Sequence, residues 1–303
     1  MALIAHEEIV FRRDYEGGVL PSAMVAMGAV VGLQVLDRDG YGSLQMLRQS
    51  GDIDIYLEGG LDKVLAYART YGEVTKVNEL EMSVPVYKDT EVEFHYRPFI
   101  MRNPFKNRKL QRFFKAQMDR QFSNSLTCGE LDRTILDEEN NLSINVPSLE
   151  FNLVHQMVHI FHHLFTEGIG LRQLMDYYFL LRSVKNVEGV KESKECIHSL
   201  DLDRFASALM WVLHVVFSMS MIYAPWVPNA KDGRVLLDEV MLSGNFVKQD
   251  GRMEGLYDSK WNSFWMVNTK TFRFWRFDHG AWFWSHVWRV YHFIWKKING
   301  FTK

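Results

Sequence analysis

Two aspartates interrupt a short apolar run in the first third of the chain, Gly51-Asp-Ile-Asp-Ile-Tyr-Leu57. The length and composition of the run predict a β-strand. Side chains two residues apart in a strand point to the same face, so Asp52 and Asp54 are expected to lie close together. Two neighbouring carboxylates repel each other unless a cation neutralises them. This strand therefore predicts an open, metal-binding face rather than an ordinary core.

A hard divalent ion suits such a pair, because it takes oxygen ligands and keeps positions for water and phosphate. We expect Mg²⁺, with Mn²⁺ as the alternative. A third carboxylate from a neighbouring strand would complete a clamp for two ions about 4 Å apart. Glu93, in the predicted strand Val92-Glu-Phe-His-Tyr96, is the candidate, and Glu91 on the same face is the reserve. An isolated Asp-x-Asp more often lies in a solvated loop or caps a helix; the apolar surroundings favour the metal site here.

The first hundred residues alternate between helical and strand patterns. Apolar residues at helical spacing follow Gly59-Gly60 and predict a helix over residues 61–71. Alternating residues predict strands over 81–87 and 91–96, and Pro85 favours an edge position for the first of these. The order strand, helix, hairpin indicates an α+β fold with a mixed sheet. Residues 102–120 predict a basic helix with one apolar face.

The chain changes character beyond Ser148, where helical patterns replace the strand patterns. Helices are predicted over residues 149–227, with breaks near 168–170 and across 185–203, followed by a loop over 228–258. The tryptophan-rich end, 261–303, is expected to pack a core or a partner interface, with a base-stacking platform as the alternative. These patterns predict a catalytic domain at 1–122, a connecting segment at 123–148 and a helical domain at 149–303.

The bulk composition limits the partners and the compartment. The net charge of −2 comes from 35 basic and 37 acidic residues, so the chain shows no strong signal for nucleic-acid binding. Two cysteines without metal-ligand spacing and an N-terminus without a signal peptide favour the cytoplasm. The apolar stretch over residues 205–227 contains His214, Ser218 and Pro225, so it predicts a buried helix rather than a membrane span.

Several segments together resemble a known family. Arg48-Gln-Ser-Gly-Asp-Ile-Asp54 is similar to the signature of the uncharacterised nucleotidyltransferases of the polymerase-beta-like superfamily, which are widespread in bacteria. The segment Val92–Tyr96 resembles the downstream strand of that family. In the helical part, His159, His163 and the stretch Gly168–Asp176 match further family positions, as does Ser243-Gly-Asn-Phe246.

The resemblance implies a mixed-sheet catalytic core followed by a mainly α-helical domain. By the resemblance, Asp52 and Asp54 bind the metal and the nucleotide phosphates, and Glu93 is the third ligand or the base that deprotonates an acceptor hydroxyl. The nucleotide site it implies comprises Gly28, Arg48, Ser50 and Gly51, with Gly42-Ser43 as the alternative glycine element. A cleft on the second domain would involve His159, His163, Arg172 and Asp176.

Other interpretations of the second-domain residues stay open. The histidines at i, i+4 spacing could hold zinc, but no acidic residue or cysteine accompanies them at ligand spacing, and core packing is the alternative. Arg172 and Asp176 are spaced to form an ion pair on a helix surface.

The sequence therefore predicts a Mg²⁺-dependent transfer of a nucleoside monophosphate from a nucleoside triphosphate to an acceptor hydroxyl. The acceptor is a small molecule, a protein or an RNA end. The chain departs from the family at Met27, where a lysine is usual, and this departure motivates a second hypothesis. In that hypothesis the fold is catalytically inactive and serves as a binding or regulatory module. A weaker hypothesis is membrane anchoring through residues 205–227.

Overall fold

The chain forms two compact units, each built around its own core. A computed structural model describes residues 24–26, 53–87, 90–121, 125–127, 143–145, 147–166, 168–184, 187–243 and 260–301. The first unit takes Met1–Ile100, Phe114–Ser148 and Trp295–Lys303, and the second takes Met101–Phe113 and Leu149–Ile294. The described part is a mixed sheet with a mostly helical remainder, which confirms the predicted α+β class.

The first unit holds the described strands, one complete short helix and the ends of two longer helices. The strands are β1 (Met24–Ala26), β2 (Ile53–Leu57), β3 (Lys76–Val77), β4 (Glu81–Tyr87), β5 (Thr90–His95), β6 (Ser125–Thr127) and β7 (Ser143–Asn145). Helix α1 spans Gly60–Ala68. The predicted strand, helix and hairpin are thus confirmed, with bounds that differ by a few residues.

The strands form one sheet in the order β3-β4-β5-β2-β1-β7-β6. Strand β2 runs parallel to β5 and antiparallel to β1, and the hairpin of β4 and β5 is antiparallel. Strand β4 is therefore not the edge strand that Pro85 favoured. Among the described residues, β3 pairs with β4 only at Met82 and Ser83. Pro85 lies beyond these pairs, so its missing N–H removes no hydrogen bond between β3 and β4.

One face of the sheet packs against α1 to form the core of the first unit. Ile55 and Leu57 of β2, Val92 and Phe94 of β5, and Val64 of α1 are buried in it. Because strand side chains alternate, burying these residues turns Asp54, Glu93 and His95 to the opposite face. The apolar pattern of the sequence thereby decides which face carries the acidic groups.

Two strands lie where the sequence predicted only a connecting segment. Strand β7 pairs with β1 in parallel and β6 pairs with β7 antiparallel, so both extend the sheet. Each has three residues. Runs this short carry too little alternation to be recognised from sequence.

The described helices beyond α1 are α2 (Pro104–Gln121), α3 (Leu149–Phe165), α4 (Leu171–Arg182), α5 (Val187–Ser199), α6 (Asp203–Phe217), α7 (Ala230–Ser243), α8 (Lys260–Arg273) and α9 (Ala281–Ile298). Helix α2 confirms the predicted basic helix. It contributes its first part to the second unit and its last part to the first.

The apolar stretch near residue 210 is a core helix, as predicted. Seven residues of α6 are buried, among them Phe205, Leu209 and Leu213. The helix ends at Ser218, whose backbone takes the left-handed conformation. Across the described residues, no helix is both long and apolar enough to span a bilayer.

Two helices correct the sequence analysis. Helix α5 lies inside the break predicted across residues 185–203, where a lysine- and glutamate-rich sequence leaves only a sparse apolar stripe that includes Val190 and Ile197. Helix α7 occupies residues 230–243 of the predicted loop. Leu236 and Val240 have helical spacing and are buried on one side of this helix.

Gly233 is needed in α7 because that helix lies against Trp211 of α6. A Cβ atom on Gly233 would lie 2.4 Å from Cε3 and 2.9 Å from Cβ of Trp211. Separations this short are not tolerated, and the Cβ of Trp211 cannot move without its helix.

The residue before Gly233 is also fixed by its contacts. Asp232 is 1% exposed and accepts hydrogen bonds from Nε of Arg204 at 2.6 Å and from Nη1 of Arg276 at 3.1 Å.

We predict that Gly233→Ala destabilises the protein by about 2 kcal/mol, although alanine is the better helix former, because overpacking against Trp211 outweighs the propensity gain. Chemical denaturation of both proteins measures the difference. In a Trp211→Leu background the same substitution should cost much less. An equal cost in both backgrounds would show that the contact with Trp211 is not the cause.

Candidate metal centre

The register between β2 and β5 places two predicted ligands directly opposite each other. Asp54 is paired with Glu93 across the parallel strands, and both side chains are about one-fifth exposed, at 22% and 19%. Together with His95 they form a group whose ligand atoms all lie within 4.8 Å of one another. The structure therefore brings together Asp54 and Glu93, which the sequence predicted as partners from separate segments.

His95 also belongs to this centre, although no role for it was predicted from the sequence. Its Nε2 lies 3.3 Å from Oδ1 of Asp54 and 3.9 Å from Oε2 of Glu93. The signal was present in the sequence, because His95 follows Glu93 by two residues and must share its face.

A third carboxylate, from Glu81 at the start of β4, also faces the ring. Its Oε2 lies 3.4 Å from Nε2 of His95, and its other oxygen accepts a 2.9 Å hydrogen bond from the side-chain amide of Asn78. The Asn78 side chain in turn accepts the backbone N–H groups of Leu80 and Glu81 at 2.7 and 3.0 Å. This turn between β3 and β4 fixes the direction of Glu81, so the fold itself holds a third carboxylate against His95.

The carboxylates change the protonation of His95. Burial of the ring lowers its pKa, but the hydrogen bond to Asp54 and the negative charges of Asp54, Glu81 and Glu93 outweigh burial and raise the pKa to about 9. At neutral pH the ring therefore carries a proton when no metal ion is bound. The three carboxylates that stabilise a proton on this nitrogen also favour the binding of another cation, such as a metal ion, in its place.

Several predicted site residues lie outside the described residues. They are Gly28, Arg48, Ser50, Gly51 and Asp52, together with Met27 and the Gly42-Ser43 alternative. Their assigned roles remain predictions from the sequence. Glu91, the reserve ligand, lies in β5 with its backbone paired to Pro85 of β4.

The second-domain candidates lie on two helices of the second unit. His159 and His163 are half-buried on α3, with their Nε2 atoms 2.9 Å apart. Arg172 and Asp176 are half-buried one turn apart on α4. Within the described residues these histidines do not form part of a three-ligand metal group. Burial, Arg102 and the neighbouring histidines hold the pKa of His162 well below its usual range, so that ring is neutral.

Comparison with known families identifies the class of the protein. The model of a family of uncharacterised nucleotidyltransferases matches residues 34–218. This is more than half of the chain, and the chain belongs to that family. The matched region includes Asp54, Glu93 and His95 and ends just after α6. No curated protein and no solved structure gives a significant match.

We predict that His95 titrates near pH 9 in protein freed of divalent ions, which NMR of its ring can measure. The folded state holds this proton more tightly than the unfolded chain, where the pKa is about 6.5. The stability it contributes is therefore complete below pH 6.5 and is lost as the pH rises through 9.

Asp54→Asn should lower the pKa of His95 more than Glu81→Gln does, because Asp54 supplies both a hydrogen bond and a charge. Glu73→Gln, at an exposed position of the same unit, is the control and should leave the titration unchanged. A ring that titrates near 6.5 in the unaltered protein would contradict the electrostatic description of the centre.

Proposed function

We propose that the protein is a Mg²⁺-dependent enzyme that transfers a nucleoside monophosphate from a nucleoside triphosphate to a hydroxyl acceptor and releases pyrophosphate. Family membership supports nucleotidyl transfer as the general reaction. The observation that carries the proposal is the direct pairing of Asp54 with Glu93 across β2 and β5. A triphosphate donor also agrees with the predicted location in the cytoplasm.

The residues present fit a divalent ion. Asp54 and Glu93 offer carboxylate oxygens, which Mg²⁺ and Mn²⁺ prefer, at separations short enough for one ion to contact both. His95 adds an imidazole nitrogen, a donor that suits Mn²⁺ better than Mg²⁺. We therefore expect both ions to bind, with Mn²⁺ the tighter of the two.

Asp52 is assigned to the same centre on the spacing of the sequence. It directly precedes β2, two residues from Asp54, and the strand pattern predicts that both carboxylates share a face. Arg48, Ser50, Gly51 and Gly28 are proposed to hold the triphosphate. The first unit, which contains Asp54 and Glu93, is then the catalytic one.

In the proposed reaction the acceptor oxygen attacks the α-phosphorus, and the bond from that phosphorus to the oxygen bridging to the β-phosphate breaks. The proton of the acceptor hydroxyl passes to the carboxylate of Glu93, and pyrophosphate leaves. A bound divalent ion supplies charge neutralisation and alignment of the phosphates. Before an ion binds, His95 holds Asp54 in place through Nε2, and Glu81 holds His95. Precise placement of these groups supplies much of the rate enhancement.

A catalytically inactive binding module is the second candidate. It is favoured by the position of His95, whose Nε2 lies within 4 Å of all three carboxylates. A protonated ring in this position neutralises part of the carboxylate charge without a metal ion. Met27, where the family usually has lysine, supports the same alternative from the sequence.

Asp54→Asn should weaken Mn²⁺ binding, measured by calorimetry, by about 100-fold or more, because the loss of supporting residues around a metal site alone costs 10–100-fold. Glu93→Gln should act in the same direction. Asp62→Asn, an exposed aspartate in the first turn of α1, is the matched control and should bind as the unaltered protein does. Equal affinity in all four proteins would exclude this centre as the metal site.

The activity itself is tested with triphosphates that carry the label on either the α- or the γ-phosphate, incubated with Mg²⁺ and cell extract. Nucleotidyl transfer should move the α-label onto an acceptor and leave the γ-label in pyrophosphate. Asp54→Asn should abolish transfer in protein that circular dichroism shows to be folded at the assay temperature. Tight binding of Mg²⁺-triphosphate without pyrophosphate release would support the inactive module instead.

A further inference from the structure

The last described helix, α9, exposes an almost entirely apolar face. At one residue per 100° these positions fall on one side of the helix. The face, termed here the outer face, consists of Trp282, Phe283, Val287, Val290, Tyr291, Phe293 and Ile294, all exposed. Val290 and Phe293 are each more than 60% exposed. Single exposed apolar residues are ordinary, but a continuous apolar helix face marks an interaction surface.

The opposite side of α9 is the one that docks onto the protein. Ser285 is buried and accepts a 2.9 Å hydrogen bond from Nη1 of Arg102. Trp284 packs edge-on against Phe105, with ring centroids 5.9 Å apart. The helix is therefore held through its inner side, and the outer face is presented to its surroundings.

The apolar surface continues onto the neighbouring helix α8. The ring of Phe272, which is largely exposed, lies 6.4 Å from that of Trp282. The surface therefore extends over two helices rather than along a single stripe. The family match ends at residue 218, so this part of the chain lies outside it.

The charge of α9 indicates what the surface meets. Residues 281–298 contain three basic residues and not one aspartate or glutamate. Arg289 lies over the ring of Phe264, so Lys296 and Lys297 in the last turn are the basic groups that an anionic surface would meet. A helix with aromatic and aliphatic residues on one side and only basic charges is typical of segments that lie in the plane of an anionic membrane. Tryptophan and tyrosine favour the headgroup region, because their rings are apolar and carry a polar group.

We infer that the outer face of α9 binds the surface of an anionic lipid bilayer, with the helix lying in the membrane plane. A second copy of the chain is a poorer occupant, because α9 carries no aspartate or glutamate that could pair with the lysines of a second α9. This inference is independent of the proposed enzymatic activity.

The test is co-sedimentation of the full chain with vesicles of phosphatidylcholine alone and of phosphatidylcholine and phosphatidylglycerol in equal parts. The protein should bind the anionic vesicles, bind less as salt is raised, and show a blue shift of tryptophan fluorescence on binding. A Phe283→Glu/Phe293→Glu double variant should bind about tenfold more weakly or not at all, since it places charges in the bilayer boundary.

Ile222→Glu, at an apolar position that is 82% exposed outside this surface, is the matched control and should bind as the unaltered protein does. Circular dichroism checks that the double variant is folded. No binding to anionic vesicles by the unaltered protein overturns the inference. So does a dimer in solution that the double variant dissociates, because the occupant is then a second copy.

Discussion

The parallel pairing of β2 with β5 is the constraint on which the candidate site depends. It sets Asp54 beside Glu93 and places His95 two residues further along β5, so three potential ligands from two strands meet on one face. The pairing is held by the apolar residues between them, Ile55 and Phe94, which are buried against α1. A slip of one residue in β5 would turn Glu93 and His95 into the core and expose Val92 and Phe94, so burial of the core fixes the geometry of the centre.

Repulsion among the carboxylates destabilises the fold unless a cation is present, and the structure shows which group offsets part of this repulsion. His95 is drawn into the cluster and kept protonated by Asp54, Glu81 and Glu93, while Asn78 holds Glu81 in position. A histidine in this role stabilises the metal-free protein and keeps the carboxylates aligned. The same alignment suits a divalent ion and the phosphates it would bring, which connects the electrostatics of the sheet to the proposed reaction.

The sequence predicted the parts of the structure that have a strong period or a strong chemical signal. The helix after Gly59-Gly60, the hairpin of β4 and β5 and the joint location of Asp54 and Glu93 followed from alternation and helical spacing. Strands β6 and β7 are three residues long and give no usable period. Helix α7 lies in a stretch that the sequence analysis gave as a loop, and the contact that calls for glycine at position 233, with Trp211, exists only in the folded protein.

The position of His95 could have been deduced, and that of Glu81 could not. His95 shares a strand face with Glu93 by simple alternation, whereas Glu81 reaches it through the antiparallel register of the hairpin and the turn at Asn78. Such cross-strand neighbours depend on register, which turn geometry decides. For the aromatic end of the chain the sequence indicated a core or an interface; in the structure one side of α9 packs through Ser285 and Trp284, and its other side is exposed.

A crystal structure of the protein grown with Mn²⁺, with the ion located by its anomalous scattering, tests the central claim most directly. The account predicts a peak bonded to carboxylate oxygens of both Asp54 and Glu93, at about 2.2 Å from each. A crystal saturated with Mn²⁺ that shows no peak there, with the ring of His95 still held among the three carboxylates, would contradict it.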